Sequence, residues 1–588
     1  MPFALTGAMA CLSRAQTTET PVQAVWAVND GEKVKRDDLS NPNKTINSAW
    51  DGHKVRLFGA RNEILAFQLI IEAGARGIDA LSIELPELRQ RGGTAAILYG
   101  APARDPTDYS GRQIQIFSEN YMQVSRPTQA SWIYRQNTPS APADPTGWKP
   151  VQLVPENARQ GKGGFPLKVE PFQNQAIWVE IYAGRNLPPG FYDGTLFIRA
   201  DGETRTIPLE LEVFNFILPD ENSIHAMIYY ESQQPELYQG RNLDAEYHRF
   251  AHRHRIELVN AYSVASATAA LGRFRGDDFS SARGYEGPGE GAGNRIAPAS
   301  FYSPGTGYDE RSSAWEKSDA WMTFLDQSLP GVITFLYMPD EPAPSEYARI
   351  WRIADNVHSN PGPGRRLPIF VTRGYVPDLD GAIDIWCSGP GSYIIERALQ
   401  ERSRGRQFWI YNGGRPAGPA IVIDSPATDP RATIWACFKH GIDVYFYWHA
   451  VHWRHNSQKR EGDRNQDVWA NPITYDNGQS FANGDGVLIY PGEEKLHPNE
   501  DRGVPGPCST IQLGNFRRGL QDHQYLTLAR RLGLNAEVNR ALQAVVPRVF
   551  SDAGSTVGFA ETGNTFEDAR KELATAIAAA SARQRRRP

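Results

Sequence analysis

Two adjacent carboxylates, Asp340 and Glu341, lie between prolines at the end of the apolar run 331–338. Proline has no backbone donor, so Pro339 and Pro342 are expected to end a strand here and to set the pair at the carboxyl edge of a sheet. Repulsion between neighbouring carboxylates favours a proton donor beside an anion. Such a pair suits glycosidic bond cleavage, in which one group protonates the leaving oxygen and the other stabilises positive charge.

The same two residues have a purely structural interpretation, which their spacing leaves equally open. Asp340 would cap a following helix, and Glu341 would lie in the first turn of that helix. The helix dipole favours acidic side chains at both positions.

Aromatic and polar side chains recur at the ends of other predicted strands. Sugars present apolar C–H faces and a rim of hydroxyls, so their sites combine aromatic platforms with polar groups. We therefore predict a substrate-binding set that consists of Arg373, Trp386, Tyr411, Asn412, Trp448, His449 and Trp453. Each of these side chains taken alone is more often part of a core, but their repetition at one edge favours a site.

Charge and residue spacing exclude several classes of protein. The formal net charge of −5 does not supply the basic field that nucleic acid binding requires, so no nucleic acid partner is predicted. His449, His452 and His455 lack the i, i+4 spacing with a glutamate that marks a zinc protease, and the cysteines have no zinc-ligand spacing. No metal site is predicted. No apolar run reaches the roughly 18 residues of a membrane helix, so no transmembrane segment is predicted.

Residues 1–20 resemble the end of a secretory signal. An apolar stretch from Phe3 to Leu12 is followed by Ser13-Arg14-Ala15, which has the small-x-Ala form of a cleavage site. We predict a possible signal remnant here and a secreted or periplasmic protein.

The chain is predicted to be multidomain, beginning with an all-β sandwich over residues 21–218. Short β-rich runs with Gly, Pro and Asp turns between them are typical of this fold. The runs are Val22–Val28, Ile64–Glu72, Gln113–Phe117, Ala176–Tyr182, Gly194–Arg199 and Ile207–Val213.

From about residue 219 strand-like and helix-like segments alternate, which favours a parallel sheet. Eight strand candidates predict a (β/α)8 TIM-like barrel over residues 219–535, followed by a helical C-terminal tail over 536–588. The candidates are Ile224–Tyr230, Ile256–Tyr262, Val332–Met338, Pro368–Thr372, Ala382–Cys387, Phe408–Asn412, Val444–His449 and Val487–Tyr490. The long loops 277–307 and 453–485 interrupt the barrel, and either could wall a substrate pocket.

Several of these motifs together resemble glycoside hydrolase family 123 and its relatives, grouped as the domain of unknown function numbered 4091. The strand that ends in Tyr337-Met338-Pro339-Asp340-Glu341-Pro342 resembles the catalytic core of the family. Residues 483–492 resemble its last barrel strand, and residues 509–513 with 517–526 resemble its closing helix. Residues 60–68 and 189–194 resemble its N-terminal β-sandwich.

The resemblance implies a retaining β-N-acetylgalactosaminidase in which the 2-acetamido oxygen of the substrate attacks the anomeric carbon. Glu341 would be the general acid/base, and Asp340 would hold the acetamido N–H. No metal or organic cofactor is implied, and the partner is an oligosaccharide or glycoconjugate substrate. Gln521 and His523 depart from the family, in which these positions often carry acidic and aromatic residues.

Two alternatives stay open beside this interpretation. The first is a glycosidase for a different sugar that uses a second carboxylate as nucleophile, for which Asp384 and Asp443 are the candidates. The second is a carbohydrate-binding protein that kept the barrel and lost turnover. Retention of both Asp340 and Glu341 argues against the second alternative.

Overall fold

The N-terminal region consists of two mostly antiparallel β-sheets. The structure, a computed structural model, describes residues 20–303, 305–455 and 464–585. The first sheet contains, in spatial order, Val22–Asn29, Glu63–Ala73, Asn174–Ala183, Ile114–Val124, Gly147–Pro155, Pro507–Thr510 and Tyr490–Pro491. The second contains Val55–Arg61, Glu203–Ile217, Gly190–Ala200, Ile78–Glu84 and Leu167–Val169, with Glu87–Gln90 and Ala96–Leu98 at its margin. The β-runs predicted for this region all lie in these sheets.

The strand Glu63–Ala73 is buried on both of its faces. Leu69 packs into the core between the two sheets. Ala66 packs in a separate cluster with Ile511, the first residue of a long C-terminal helix. A strand that is covered on both faces reads as a nearly continuous apolar run, as this one does. The first sheet is therefore a layer between the second sheet and the α/β region.

Seven parallel strands form the sheet of the α/β region. In spatial order they are Glu257–Val259, His225–Tyr229, Val444–Tyr447, Gln407–Tyr411, Ile385–Ser388, Ile369–Val371 and Leu336–Tyr337. Each coincides with a predicted strand. Because the strands are parallel, their carboxyl ends meet at one edge, and Asp340 and Glu341 follow the last of them at that edge.

The eighth predicted strand, Val487–Tyr490, is wrong. Tyr490 pairs with Cys508 in an antiparallel arrangement, and the strand Pro507–Thr510 in turn joins the first N-terminal sheet. The apolar side chains of this segment are buried, so its hydrophobic pattern did not reveal which sheet it joins. The prediction of an α/β region with a parallel sheet is confirmed, and that sheet has seven strands among the described residues.

Helices cover the parallel sheet and extend to the C-terminus. Those of the described chain are Gln233–Gln239, Asp244–Arg253, Val264–Ala269, Leu271–Arg275, Arg311–Ser328, Tyr347–His358, Ile395–Ser403, Asp429–His440, Ile511–Arg531, Asn535–Val545 and Gly563–Arg585. Gln521 and His523 lie on the helix Ile511–Arg531, where the Gln521 side chain donates to the Ile64 carbonyl at 2.9 Å. His523 contacts the Ser223 hydroxyl at 2.7 Å. Both side chains therefore join this helix to neighbouring segments of the fold.

Within the described ranges, every helix is too short or too polar to cross a bilayer. Cys387, Cys437 and Cys508 are buried free thiols. Residues 1–19, which carry Cys11 and nearly all of the predicted signal remnant, lie outside the described residues, so export stays a prediction.

Candidate active site

A cavity of about 1000 Å³ opens at the carboxyl edge of the parallel sheet. Five residues of the predicted site line it, namely Asp340, Glu341, Tyr411, Asn412 and Trp448. The two carboxylates therefore face one space, as the turn at Pro339 requires.

Two hydroxyl groups fix the side chain of Asp340. The Tyr337 hydroxyl and the Thr372 hydroxyl each donate to Asp340 Oδ1 at 2.8 Å. The Thr372 oxygen also accepts from the backbone N–H of Glu341 at 2.9 Å. One threonine hydroxyl thus orders both members of the pair.

Glu341 leaves the strand in a left-handed backbone conformation, with φ of +46°. The Tyr411 hydroxyl donates to Glu341 Oε1, which holds the carboxylate against the cavity wall. Burial and the Glu341 charge raise the pKa of Tyr411 well above its usual range, so this phenol stays a proton donor at neutral pH.

The helix-cap interpretation of the pair is wrong. The helix Tyr347–His358 begins well beyond Glu341, and the short 3-10 turn Pro344–Glu346 before it has Ala343 as its cap. Neither carboxylate caps a helix, because Pro342 and Pro344 keep the intervening chain extended.

Tyr302 forms the cavity wall beside Asp340. Its ring packs on Tyr229 at 4.6 Å and on Tyr337 at 5.3 Å between centroids, and its hydroxyl donates to the Trp448 carbonyl at 3.3 Å. Burial, with a contribution from the Asp340 charge, raises the pKa of Tyr302 well above its usual range. The side chain therefore presents a neutral phenol to the cavity.

A third carboxylate, Asp485, lies on the wall that Trp448 forms. Asp485 Oδ1 accepts from Trp448 Nε1 at 2.8 Å and from the Tyr447 hydroxyl at 3.1 Å. Burial raises the pKa of Asp485 to about 6, although these hydrogen bonds act in the opposite direction. Gly486 has φ of +75°, and a Cβ there would lie 2.5 Å from the Trp448 ring, so only glycine fits this turn.

Two loops and one segment of the N-terminal region complete the cavity wall. The sequence alone did not indicate which of their residues would line it. Loop 277–307 supplies Tyr302, and loop 453–485 supplies Tyr475, Asn477 and Asp485. Both loops wall the pocket, as predicted. Trp132 comes from the N-terminal region, whose polar segment around it gave no signal of a site.

Residues 374–529 match the sequence profile described as "Glycoside hydrolase 123, catalytic domain". Over this range the chain is similar to family 123 glycoside hydrolases, and the match supports a glycosidase. The resemblance predicted from the motifs and the prediction of a glycosidase are both confirmed. The matched range begins after Glu341, so the roles of the acidic pair rest on the geometry around it.

Solved structures give the fold. A family 123 glycoside hydrolase from Clostridium perfringens, studied for glycolipid glycan hydrolysis, aligns with a TM-score of 0.63 and 13% identity over 96% of this chain and 99% of that chain. At this identity the likeness shows a shared fold. A β-glucuronidase from Parabacteroides merdae aligns with a TM-score of 0.27 and 10% identity over 76% of this chain and 50% of that chain. No curated protein sequence matches the chain.

Two tryptophans predicted to bind substrate do not reach the cavity of this glycosidase. Trp386 is fully buried and packs on Tyr375 outside the sheet, because Ile385 and Cys387 occupy the inward positions of its strand. Trp453 is also fully buried, and its Nε1 donates to the Ile489 carbonyl at 2.9 Å. Both predictions are corrected to core positions.

Arg373 and His449, also predicted to bind substrate, are not among the residues that line the cavity. Arg373 Nη1 donates to the Pro342 carbonyl at 2.8 Å and so fixes the chain that follows the acidic pair. His449 is buried with its ring against Trp448. Burial lowers the pKa of His449, although Glu231 acts in the opposite direction.

The alternative nucleophiles Asp384 and Asp443 lie at the opposite edge of the sheet. Each immediately precedes its strand, and the amino ends of parallel strands lie away from the cavity. Asp384 Oδ2 accepts from the Ile369 backbone N–H at 2.8 Å. Asp443 lines a separate surface cavity with His523. Neither carboxylate can attack a sugar held at Glu341.

Proposed function

We propose that the protein is a retaining β-N-acetylgalactosaminidase that uses the 2-acetamido group of its substrate as nucleophile. The acetamido oxygen attacks the anomeric carbon, and Glu341 protonates the leaving oxygen. Glu341 then removes a proton from the water that opens the oxazoline-like intermediate. Substrate-assisted hydrolysis needs one acid/base residue and one residue that orients the acetamido group, not two catalytic carboxylates of the ordinary kind.

The observation that carries this proposal is that two neighbouring carboxylates face one cavity and are each held by different hydrogen-bond donors. Asp340 Oδ1 is satisfied by Tyr337 and Thr372, whereas Asp340 Oδ2 has no hydrogen-bond partner among the described residues. A carboxylate oxygen placed in this way can accept the acetamido N–H. Glu341 is held by a different donor, Tyr411, and can therefore act on the leaving group independently.

We also propose a glycoconjugate glycan as the substrate class. The family 123 enzyme from Clostridium perfringens was studied for glycolipid glycan hydrolysis. Glycolipid glycans end in sugars that project away from the lipid. An open cavity at the edge of the sheet suits a terminal sugar of this kind.

The active site is further proposed to sit on a complete (β/α)8 barrel. The hydrogen bonds of residues 295–299 support this. Ala297 and Ala299 donate to the carbonyls of Ile333 and Phe335 beside one edge strand, and the Pro298 carbonyl accepts from Tyr262 beside the other. This segment would take the place of the missing eighth strand.

A panel of aryl glycosides tests the proposed activity. We expect turnover of the aryl N-acetyl-β-galactosaminide, with the β-anomer as the first product by proton NMR. Turnover of other aryl glycosides alone would assign a different sugar, and release of the α-anomer would contradict neighbouring-group participation. Binding of glycans without turnover would identify a carbohydrate-binding protein.

A further inference from the structure

An exposed tryptophan from the N-terminal region lies in the wall of the catalytic cavity. Trp132 is 48% exposed, although tryptophan side chains are on average highly buried. It lines the same cavity as Asp340 and Glu341, and its ring meets the Tyr475 ring edge-on with centroids 5.7 Å apart. An exposed indole in a cavity has the form of a sugar-stacking platform.

The segment that carries Trp132 is rigidly attached to the α/β region. The Arg415 backbone N–H donates to the Ile133 carbonyl at 2.7 Å, and the Tyr134 hydroxyl donates to Asp424 Oδ2 at 2.7 Å. Ile133 and Tyr134 are buried in a small hydrophobic cluster with residues 420 and 422. The platform is therefore held in place before any ligand binds, which lowers the entropic cost of binding.

The close approach of this segment depends on Gly414. A Cβ at Gly414 would lie 2.4 Å from the Trp132 carbonyl oxygen, which is nearer than any side chain allows. Gly414 follows the strand Gln407–Tyr411, so the α/β region contributes a glycine where the loop of the N-terminal region must pass.

The size of the cavity exceeds the needs of one sugar. Drug-sized ligands occupy pockets of roughly 300–1,000 Å³, and this cavity of about 1000 Å³ stands at the upper end of that range. We propose that Trp132 forms a second subsite, which stacks the sugar to which the terminal residue is linked. This proposal rests on the proposed glycosidase function, and it assigns specificity for an oligosaccharide or glycoconjugate over a simple monosaccharide glycoside.

Two substrates with the same terminal sugar test the subsite. One is the methyl N-acetyl-β-galactosaminide, and the other is a disaccharide in which the same sugar is β-linked to galactose. Trp132→Ala is expected to lower kcat/KM for the disaccharide about tenfold, mainly through KM, because a stacking contact is lost. The methyl glycoside should change less than twofold, and Trp132→Phe should keep most of the disaccharide activity.

Trp351→Ala is the matched control, because Trp351 is 41% exposed but lies on the helix Tyr347–His358, away from the cavity. It should change neither substrate. An equal loss on both substrates for Trp132→Ala, or no loss on the disaccharide, overturns the proposal.

A binding measurement separates this proposal from the proposed catalytic function. If the wild-type protein cleaves neither substrate, the catalytic proposal fails. Calorimetric titration of Glu341→Gln with the disaccharide and with free N-acetylgalactosamine then decides the subsite. The double variant that combines Glu341→Gln with Trp132→Ala should bind the disaccharide about tenfold more weakly than Glu341→Gln alone and should bind the monosaccharide equally well. Equal affinities with and without Trp132, or no binding of either sugar, overturn the subsite.

Discussion

Three non-glycine residues of the cavity wall, Tyr302, Glu341 and Asn412, have left-handed backbone conformations, with φ of +47°, +46° and +54°. Each such residue costs about 1–3 kcal/mol unless its surroundings enforce it. The Thr372 hydroxyl holds the backbone of Glu341, and the Tyr445 hydroxyl donates to the Asn412 carbonyl at 3.0 Å. Strain of this kind gathers where side chains must point into a site.

Glu341→Gln tests the acid/base role. The amide cannot protonate a leaving oxygen, so kcat/KM on glycosides with poor leaving groups should fall by roughly 10²–10⁴-fold. Activated aryl glycosides should lose much less, because their leaving groups need no proton. Glu316→Gln on an exposed helix surface is the control, and wild-type rates in Glu341→Gln on natural glycans would rule out the assignment.

Asp340→Asn tests the orientation of the acetamido group. Loss of the negative charge that accepts the acetamido N–H should lower kcat on acetamido sugars by about 10²-fold. Melting temperature, followed by circular dichroism, should stay close to that of the wild type, since Asn keeps an acceptor for Tyr337 and Thr372. An unchanged kcat would contradict the role of Asp340.

Asp485→Asn should change how stability depends on pH. The folded pKa of Asp485, about 6, exceeds its unfolded value of 3.8, so folding favours the protonated form. Its contribution to stability is complete below pH 3.8 and is lost as the pH rises through 6. Relative to Asp485→Asn, the wild type should lose about 2 kcal/mol of unfolding free energy between pH 4 and pH 7. Parallel urea titrations at both pH values measure this difference, and equal changes in the two proteins would contradict it.

Residue-scale prediction from sequence succeeded where local chemistry decides. Pro339 and Pro342 end the strand whatever the tertiary context, so Asp340 and Glu341 could be located. It failed for Trp386, because an apolar run does not show which of the two alternating faces of a short strand points toward the cavity. It missed Asp485, because its role depends on Trp448 and Tyr447 coming from a distant strand.

Buried charge joins two helices at the scale of elements. Arg431 on Asp429–His440 donates through Nε to Asp522 Oδ2 at 2.6 Å, and neither side chain of this pair is exposed. Trp435 Nε1 donates to the same oxygen at 2.9 Å. A Cβ at Gly519 would lie 3.0 Å from the Arg431 carbonyl, so glycine lets the helices approach closely enough for the pair to form.

Asp522→Asn should therefore destabilise the helix pair. Arg431 keeps its pairing with Glu567 at 2.9 Å, so the substitution removes one buried charge-assisted contact, which costs about 1.5–3 kcal/mol. Urea unfolding measures the loss. Asp326→Asn is the control, because Asp326 and its partner Arg366 are both half exposed, and it should change stability very little. A similar effect of both substitutions would contradict this interpretation.

At the scale of the molecule, ion pairs connect the first N-terminal sheet to the C-terminal helices. Glu180 of the sheet pairs with Arg517, and Glu63 accepts from Arg518 at 3.1 Å and from Arg570 at 2.9 Å. All five side chains are buried. The β-rich and α/β regions therefore share one buried polar layer, which favours unfolding in a single transition.

Acid should weaken this layer through Glu180. Burial acts to raise the pKa of Glu180, but Arg517 outweighs it and lowers the pKa to about 2, below the ordinary value of 4.5. The pair's contribution is present above pH 4.5 and is lost as the pH falls through 2. The stability advantage of the wild type over Glu180→Gln should shrink by about 3 kcal/mol between pH 6 and pH 2. A constant advantage in chemical unfolding across this range would contradict the assignment.

The sequence by itself determined the seven strands of the parallel sheet and the position of the acidic pair, because apolar runs and proline act over a few residues. Only the tertiary structure decided which residues share the cavity. Trp132, Glu341 and Asp485 come from three distant parts of the chain, and they meet because the parallel strands place their following loops at one edge and the N-terminal region packs beside it. Only the tertiary structure also placed the strand Tyr490–Pro491 beside Pro507–Thr510 at the margin of the N-terminal sheet. A buried apolar segment carries no record of its partner, since hydrophobic burial has no direction.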